Sequence, residues 1–386
     1  MKFLLLTFFI ATSFTSYTQN TQQFFFARTT GKLPFLEYGI GEDRLGGAKM
    51  GFLDTNILVK VVDSFKTKYK VQLSKFHNAY IDKSNVIKQP YGFSKEYITG
   101  NWRVFGDSLF DYVTISLDER LPYRSIQQID PSRIVVDIFG PESNTNWITQ
   151  ISTTKEIKNA YYEQTEDDVM RVVIDLNHQQ HWGYSIFYTG NKLTIKVKRQ
   201  PEQLDLKYLT IAVDAGHGGT NMGADGVTTK VLEKNYTLLI AKELQQALLK
   251  KKANVIMTRE TDTTLSMVER IEILRNANPN LLISIHLNSS SSDTIQGIST
   301  YYRYIGFRPL TVFILHRVAE AGLKEFGNVG AFNFSLSGPT DYPNCLVEVA
   351  FLSNKDDEKK ILSPAFHKVV ARKIVEGIED FLKSLN

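Results

Sequence analysis

His217 lies in the run Ala215-Gly216-His217-Gly218-Gly219, directly after the apolar residues Ile211, Ala212 and Val213 and the acid Asp214. An apolar run followed by a glycine-rich turn reads as the C-terminal tip of a strand, where open α/β sheets place their ligand sites. The glycines let the backbone bend so that the imidazole points into the crevice. His286 closes a second apolar strand, 281–285, in a mirrored position. Glu233 opens an amphipathic run whose apolar face takes Leu238, Leu239, Ala241, Leu244 and Leu248, so its carboxylate falls in a first helical turn near the His217 loop. Two histidines and one glutamate, with water in a fourth position, make a recognised catalytic zinc set. The chain offers no cluster of cysteines, which argues against a structural thiolate site.

Glu348 ends the apolar run Cys345-Leu346-Val347, where a lone carboxylate is costly unless it has a partner or a chemical role. Acting as general base beside a zinc-held water is such a role. Zinc brings the water's pKa toward about 7, and the glutamate moves its proton to the departing amine. The four residues are 16, 53 and 62 positions apart, so no short metal motif applies. Their placement at strand ends carries the argument. Bland readings compete with it. The Gly-His-Gly-Gly turn could cradle a phosphate, but no Lys-Ser/Thr follows it as in a P-loop. Glu233 could merely complement a helix dipole, and Glu348 could be the buried partner of Arg259 or Arg270. His77, His178, His181, His316 and His367 read as structural or solvated. Ser289-Ser290-Ser291 reads as a flexible loop, since no nucleophile elbow surrounds it. Asn288 is a candidate for orienting substrate or His286.

Around these residues the pattern after position 207 is α/β. Strands are expected over 209–214, 254–258, 281–286, 297–302 and 345–350, and helices over 234–252, 265–276, 309–326 and 365–385. Such alternation implies a largely parallel central sheet covered by helices. Earlier in the chain the pattern is all-β. Longer alternating strands over 111–117, 133–139, 157–164, 168–176, 183–188 and 192–198 would form two packed sheets. Arg133-Ile134-Val135-Val136-Asp137-Ile138-Phe139-Gly140 and Arg171-Val172-Val173-Ile174-Asp175-Leu176 resemble the core strands of the amidase N-terminal (AMIN) domain, a β-sandwich. Shorter β-rich runs over 56–62, 70–73 and 79–81, with a closing strand at 85–87, suggest a small barrel. Lys70-Val71-Gln72-Leu73-Ser74 and Asn78-Ala79-Tyr80-Ile81 resemble bacterial SH3-like domains.

The expected organisation is a signal peptide over 1–19, an SH3-like β domain over 24–100, an AMIN-like sandwich over 101–199, a linker over 200–206 and a catalytic domain over 207–386. The signal peptide is read from Met1-Lys2-Phe3, the apolar stretch 4–11 and the Ser/Thr-rich tail behind it. No cysteine follows that stretch to take a lipid, and the single Cys345 cannot form an intramolecular disulfide. Export to a periplasm, in association with the cell wall, is the expectation. With 42% hydrophobic and 22% charged residues the composition is that of an ordinary globular protein. The net charge of +4 is dispersed among acids, so no nucleic-acid stripe is read, and no later segment is apolar enough to span a bilayer.

Asp214-Ala215-Gly216-His217-Gly218-Gly219, Leu232-Glu233-Lys234, Thr258-Arg259, Ser284-Ile285-His286-Leu287-Asn288 and Leu346-Val347-Glu348-Val349-Ala350-Phe351-Leu352-Ser353-Asn354 occur in one order across the C-terminal region. Together they resemble the zinc-dependent N-acetylmuramoyl-L-alanine amidases of the amidase_3 family. The resemblance implies one zinc ion on His217, Glu233 and His286, Glu348 as catalytic glutamate, and hydrolysis of the bond between N-acetylmuramic acid and L-alanine in peptidoglycan. That activity would serve wall remodelling and daughter-cell separation. Arg259 and Asn288 are candidates for substrate contact or for supporting the ligands, and room is left for a protein activator. The chain departs from the family after the glycines, where Thr220-Asn221-Met222 replaces a stretch that usually carries an acid and a proline. A surplus helix that plugs some relatives is not expected between His286 and Glu348. Two other readings are an inactive wall-binding protein and a zinc peptidase acting on the stem peptide.

Overall fold

A computed structural model describes residues 24–41, 45–90 and 96–385; the expected signal peptide lies outside them. The first seven strands form one antiparallel sheet, in the order Lys49–Phe52, Phe35–Glu37, Asn78–Asp82, Lys68–Gln72, Leu58–Phe65, Phe25–Thr29 and Val86–Lys88. Three of these, Phe25–Thr29, Phe35–Glu37 and Lys49–Phe52, were not expected, because each is short and none shows sustained alternation.

The next region is a two-sheet sandwich. One sheet runs Tyr123–Ile129, Ser132–Phe139, Val169–Leu176, Ile157–Glu166, and the other Pro141–Glu142, Tyr97–Gly106, Phe110–Leu117, Lys192–Lys198, Tyr184–Thr189. Period-two alternation decides what each strand hides. Ile134, Val136 and Ile138 lie beside Ile174, Val172 and Met170 on the adjacent strand, in a core completed by Val113, Ile115 and Ile195 of the other sheet. On the reverse face the same alternation lines up Arg124, Asp137 and Arg171 as register partners across three strands. Arg124 and Arg171 donate to Asp137 at 2.9 Å and 2.7 Å. The strand Tyr97–Gly106 crosses the boundary expected near residue 100, and its side chains join the core shared with the first sheet.

The C-terminal region is a six-stranded sheet in the order Asn254–Met257, Thr210–Ala215, Leu281–Asn288, Asn344–Phe351, Ile298–Tyr301, Glu325–Val329. Neighbours are parallel except where Ile298–Tyr301 meets Asn344–Phe351. Helices Glu233–Lys250, Arg308–Ala319 and Pro364–Lys383 cover one face, and Met267–Ala277 lies on the other. The helix expected over 309–326 stops at Ala319, because Gly322 takes a left-handed φ of 82° and the chain turns into the edge strand Glu325–Val329. The short helix Lys355–Ile361, capped by the Asn354 side chain, was also missed. Parity along the central strands matters for function. Ile283, Ile285, Val347 and Val349 face the three-helix side, so Ser284, His286 and Glu348 share the opposite face.

The Asp137 carboxyl loses solvation on burial, but its bonds to Arg171 and Arg124 outweigh this and hold it below the usual range. A depressed folded-state pKa stabilises the fold above the unfolded value and ceases to do so as pH falls through the folded one. Asp137→Asn is therefore expected to lower unfolding free energy by about 1–3 kcal/mol at neutral pH. The deficit relative to the parent chain should shrink below about pH 4, as read by chemical denaturation across that range.

Candidate metal centre

The His217 turn begins where strand Thr210–Ala215 ends, and it leaves the carbonyls of residues 215–217 without strand partners. Two buried arginines supply the missing donors. Arg259 Nε donates to Ala215 O and its Nη2 to Gly216 O, each at 2.9 Å, with a further bond to Lys234 O at 2.8 Å. Arg270 Nη1 donates to Ala215 O at 2.9 Å, and Nη2 to His217 O. Arg270 is 1% exposed and is neutralised by Asp214, whose carboxylate also accepts from Thr258 at 2.7 Å and Ser284 at 2.6 Å. Desolvation pushes the Asp214 pKa up, but Arg270 and the hydroxyl donors hold it below its ordinary value. From the other side Lys234 Nζ donates to Gly219 O at 2.8 Å and to Asp262 at 2.7 Å, while Asp262 accepts from Gly219 N at 2.7 Å.

So clamped, His217 adopts a left-handed φ of 60°, a conformation a side chain holds only when its surroundings impose it. Its Nε2 comes to 3.0 Å from Glu233 Oε1, and its Nδ1 to 2.9 Å from the Asn221 side-chain oxygen. His286 Nδ1 reaches the same Glu233 oxygen at 3.2 Å. The glutamate is fixed by two backbone donors, Leu287 N on Oε1 at 3.0 Å and Ala224 N on Oε2 at 2.8 Å. Close approach dictates two glycines. A Cβ on Gly216 would sit 2.4 Å from the His286 ring, and one on Gly223 would sit 2.4 Å from Glu233 Oε2. Glu233 loses solvation on burial, yet its bonds to both imidazoles carry it well below the usual carboxylate range. Burial lowers the His286 pKa, while Glu233, Glu348 and Asp214 raise it by more.

The donor atoms of His217, Glu233 and His286 all lie within 4.8 Å of one another. Two imidazole nitrogens and a carboxylate oxygen at that spacing fit a single zinc ion. The His217 side chain is 21% exposed, against 5% for Glu233 and 8% for His286, so the cluster opens to solvent on the His217 side. Glu348 is the direct register neighbour of His286 on the adjacent strand and shares its face.

The remaining candidates fall elsewhere. Arg259 lies beneath the turn on its carbonyls. Asn288 donates to the Tyr301 hydroxyl at 3.2 Å and accepts from Ser289 N at 2.8 Å. His178 and His77 each meet one carboxylate, Glu156 at 2.7 Å and Glu166 at 3.5 Å, rather than a cluster. Between His286 and Glu348 the α-helix among the described residues is Arg308–Ala319, packed in the core against Pro364–Lys383.

A family model described as N-acetylmuramoyl-L-alanine amidase matches residues 211–380, and one for the AMIN domain matches residues 102–197. The chain is 31% identical over 210 residues to the probable cell wall amidase LytH of Staphylococcus saprophyticus, covering 54% of this chain and 70% of that protein. The chain belongs to the N-acetylmuramoyl-L-alanine amidase family. With the Staphylococcus epidermidis LytH it shares 34% identity over 180 residues, 46% of this chain, and so spans about 60% of that relative's length. The solved catalytic domain of CwlV, an amidase from Bacillus (Paenibacillus) polymyxa, is 32% identical; 46% of this chain covers 99% of it at a TM-score of 0.44.

Within this amidase-family unit, sequence reasoning overlooked the supports of the ligands. Asp214 was a lone acid in an apolar strand, and it, rather than Glu348, is the buried partner that Arg270 meets. Asn221 stands in the stretch that departs from the family pattern, and its amide oxygen fixes the tautomer of His217. Removing such a partner typically weakens metal binding 10–100-fold. Asn221→Ala is expected to lower zinc affinity by roughly that factor, measured by competition with a chromogenic chelator, while Asn221→Asp retains it. Unchanged affinity in the alanine variant would remove Asn221 from this role.

Proposed function

We propose that this chain hydrolyses the amide between N-acetylmuramic acid and the L-alanine of the stem peptide, with one zinc ion held by His217 Nε2, Glu233 Oε1 and His286 Nδ1. The observation that carries the reading is the convergence of those three donors within 4.8 Å, with Glu348 in register beside His286. Bound zinc supplies a Lewis acid for the scissile carbonyl and lowers the pKa of water toward about 7. Glu348 accepts the proton of the attacking water and passes it to the departing L-alanine nitrogen. Arg259, Arg270 and Lys234 hold the turn that aims His217, and Asn221 fixes its tautomer. Asn288 acts through Tyr301 rather than on the ring of His286.

The domain scheme belongs to the same reading. The seven-stranded sheet is the SH3-like module, residues 101–199 the AMIN sandwich, and 207–386 the catalytic domain. The first two raise the local concentration of the enzyme at the wall by weak tethering. The N-terminal stretch 1–19 directs export, and the wall-associated periplasm is the site of action. No helix among the described residues is long and apolar enough to cross a membrane.

Digestion of purified sacculi with the parent chain, a Glu348→Ala variant and a chelator-treated sample tests the mechanism. The parent should release peptides with a free L-alanine amino terminus. Glu348→Ala should lower turnover by about 10²–10⁴-fold, and chelation should abolish it, with zinc restoring activity. Shortened stem peptides still joined to muramic acid would instead identify a peptidase, and turnover indifferent to both treatments would defeat the mechanism.

A further inference from the structure

Between the edge strand Glu325–Val329 and the turn Ser335–Ser337 the chain passes the rim that carries His286, and its side chains point alternately to two sides. Phe332 and Phe334 stack on each other with centroids 6.3 Å apart and planes 30° apart. Phe334 meets the His286 imidazole edge-on at 5.5 Å, and Phe332 lies against Tyr301 at 4.6 Å. Both phenylalanines keep part of their surface in solvent. Asn333, between them, turns into the N-terminal sheet. Its Oδ1 accepts from Lys49 N at 3.0 Å and from Arg303 at 3.1 Å, and its Nδ2 donates to Gly47 O at 2.8 Å. Arg303 closes the clamp by donating to Lys49 O. Phe52 of the same sheet packs under this segment with Leu33 and Leu336.

We propose that Phe332 and Phe334 form a platform for the pyranose ring of the muramyl residue, and that the N-terminal sheet holds the platform in place through Asn333. The assignment rests on the amidase reading above. An aromatic face is electron-rich, so it attracts the polarised C–H face of a sugar whose hydroxyls remain in water. The scissile carbonyl is joined to the muramyl ring only by a short lactyl ether, so a substrate with that carbonyl at the metal must lay its sugar close by. Phe334, in contact with a metal-ligating imidazole, begins an aromatic surface at that distance, and Phe332 extends it away from the metal. Asn333 is a positioning residue: its side-chain hydrogen bonds fix the backbone from which both rings project. The N-terminal sheet thereby becomes part of the substrate site as well as a tether.

Binding can be measured apart from turnover by calorimetry on the full chain carrying Glu348→Ala. The probes are N-acetylmuramyl-L-alanyl-D-isoglutamine and, as a sugarless control, L-alanyl-D-isoglutamine. The saccharide probe is expected to bind more tightly. Phe332→Leu and Phe334→Leu, which keep apolar volume but lose the ring, should each reduce that advantage roughly three- to tenfold while dipeptide binding stays the same. Asn333→Ala should reduce it in the same direction, with zinc affinity and the circular dichroism spectrum unchanged. A saccharide advantage that survives both leucine variants, or none in the parent, overturns the platform. A full advantage in Asn333→Ala overturns the part given to the N-terminal sheet. Failure of the amidase reading would show separately, as sacculi left intact by the parent chain.

Discussion

The buried carboxylate of Asp214 ties together four elements that have no other reason to meet at one point. Its oxygens accept from Ser284 on the neighbouring strand, from Thr258 after the edge strand, and from Arg270 on the helix of the open face. Arg270 also donates from Nη1 and Nη2 to carbonyls of the turn that carries His217. A buried pair of this kind is expensive to desolvate, and losing either member typically costs about 3–5 kcal/mol, because the survivor is left charged in a dry place. The pair is tolerable here because both Asp214 oxygens also accept from hydroxyls and both Arg270 Nη atoms also donate to carbonyls that must be held still. A turn with three carbonyls aimed inward needs cationic donors beneath it. Those donors need a counter-charge, and the strand end provides one.

This base holds a strained histidine within reach of Glu233 and His286. His217 stays in the left-handed region because its own carbonyl is held by Arg270 and the glycine after next by Lys234 and Asp262. Glu233 is aimed with equal stringency by two backbone amides, so one carboxylate oxygen faces both imidazoles before any ion arrives. The amide of Asn221 accepts the Nδ1 bond of His217 without adding charge. It therefore sets the tautomer and leaves Nε2 facing Glu233.

The N-terminal half is bound to the catalytic unit by more than a linker. Lys198 of the sandwich donates to Pro279 O at 2.7 Å, Tyr184 and Thr340 exchange hydrogen bonds, and Trp182 lies in the core of the C-terminal domain. The first sheet and the sandwich share one continuous core. A chain assembled in this way holds its N-terminal sheets and its C-terminal rim in a fixed relation, which flexible tethering alone would not provide.

The converging histidines and glutamate, the order of the motifs and the α/β and β-sandwich character could all be read from residue types, because each depends on local periodicity or on side chains whose chemistry has few uses. His217, Glu233, His286 and Glu348 are singled out by residue type and by position at the ends of strands or the start of a helix, and the first three bring donor atoms within 4.8 Å of one another. Three short N-terminal strands, the edge strand Glu325–Val329 and the helix Lys355–Ile361 escaped, since elements of a few residues draw their stability from neighbours and leave little pattern of their own. The roles of Asn221 and Asn333 escaped for a related reason, as did the pairing of Arg270 with Asp214 rather than Glu348. A hydrogen bond from an amide or guanidinium to a distant carbonyl has no sequence period, and only the packed chain decides which carbonyl will lack a partner. Sequence alone thus named the side chains that converge at this rim. The tertiary structure decided what holds them still, and which distant sheet stands beside the site, because both depend on contacts between residues far apart in the chain.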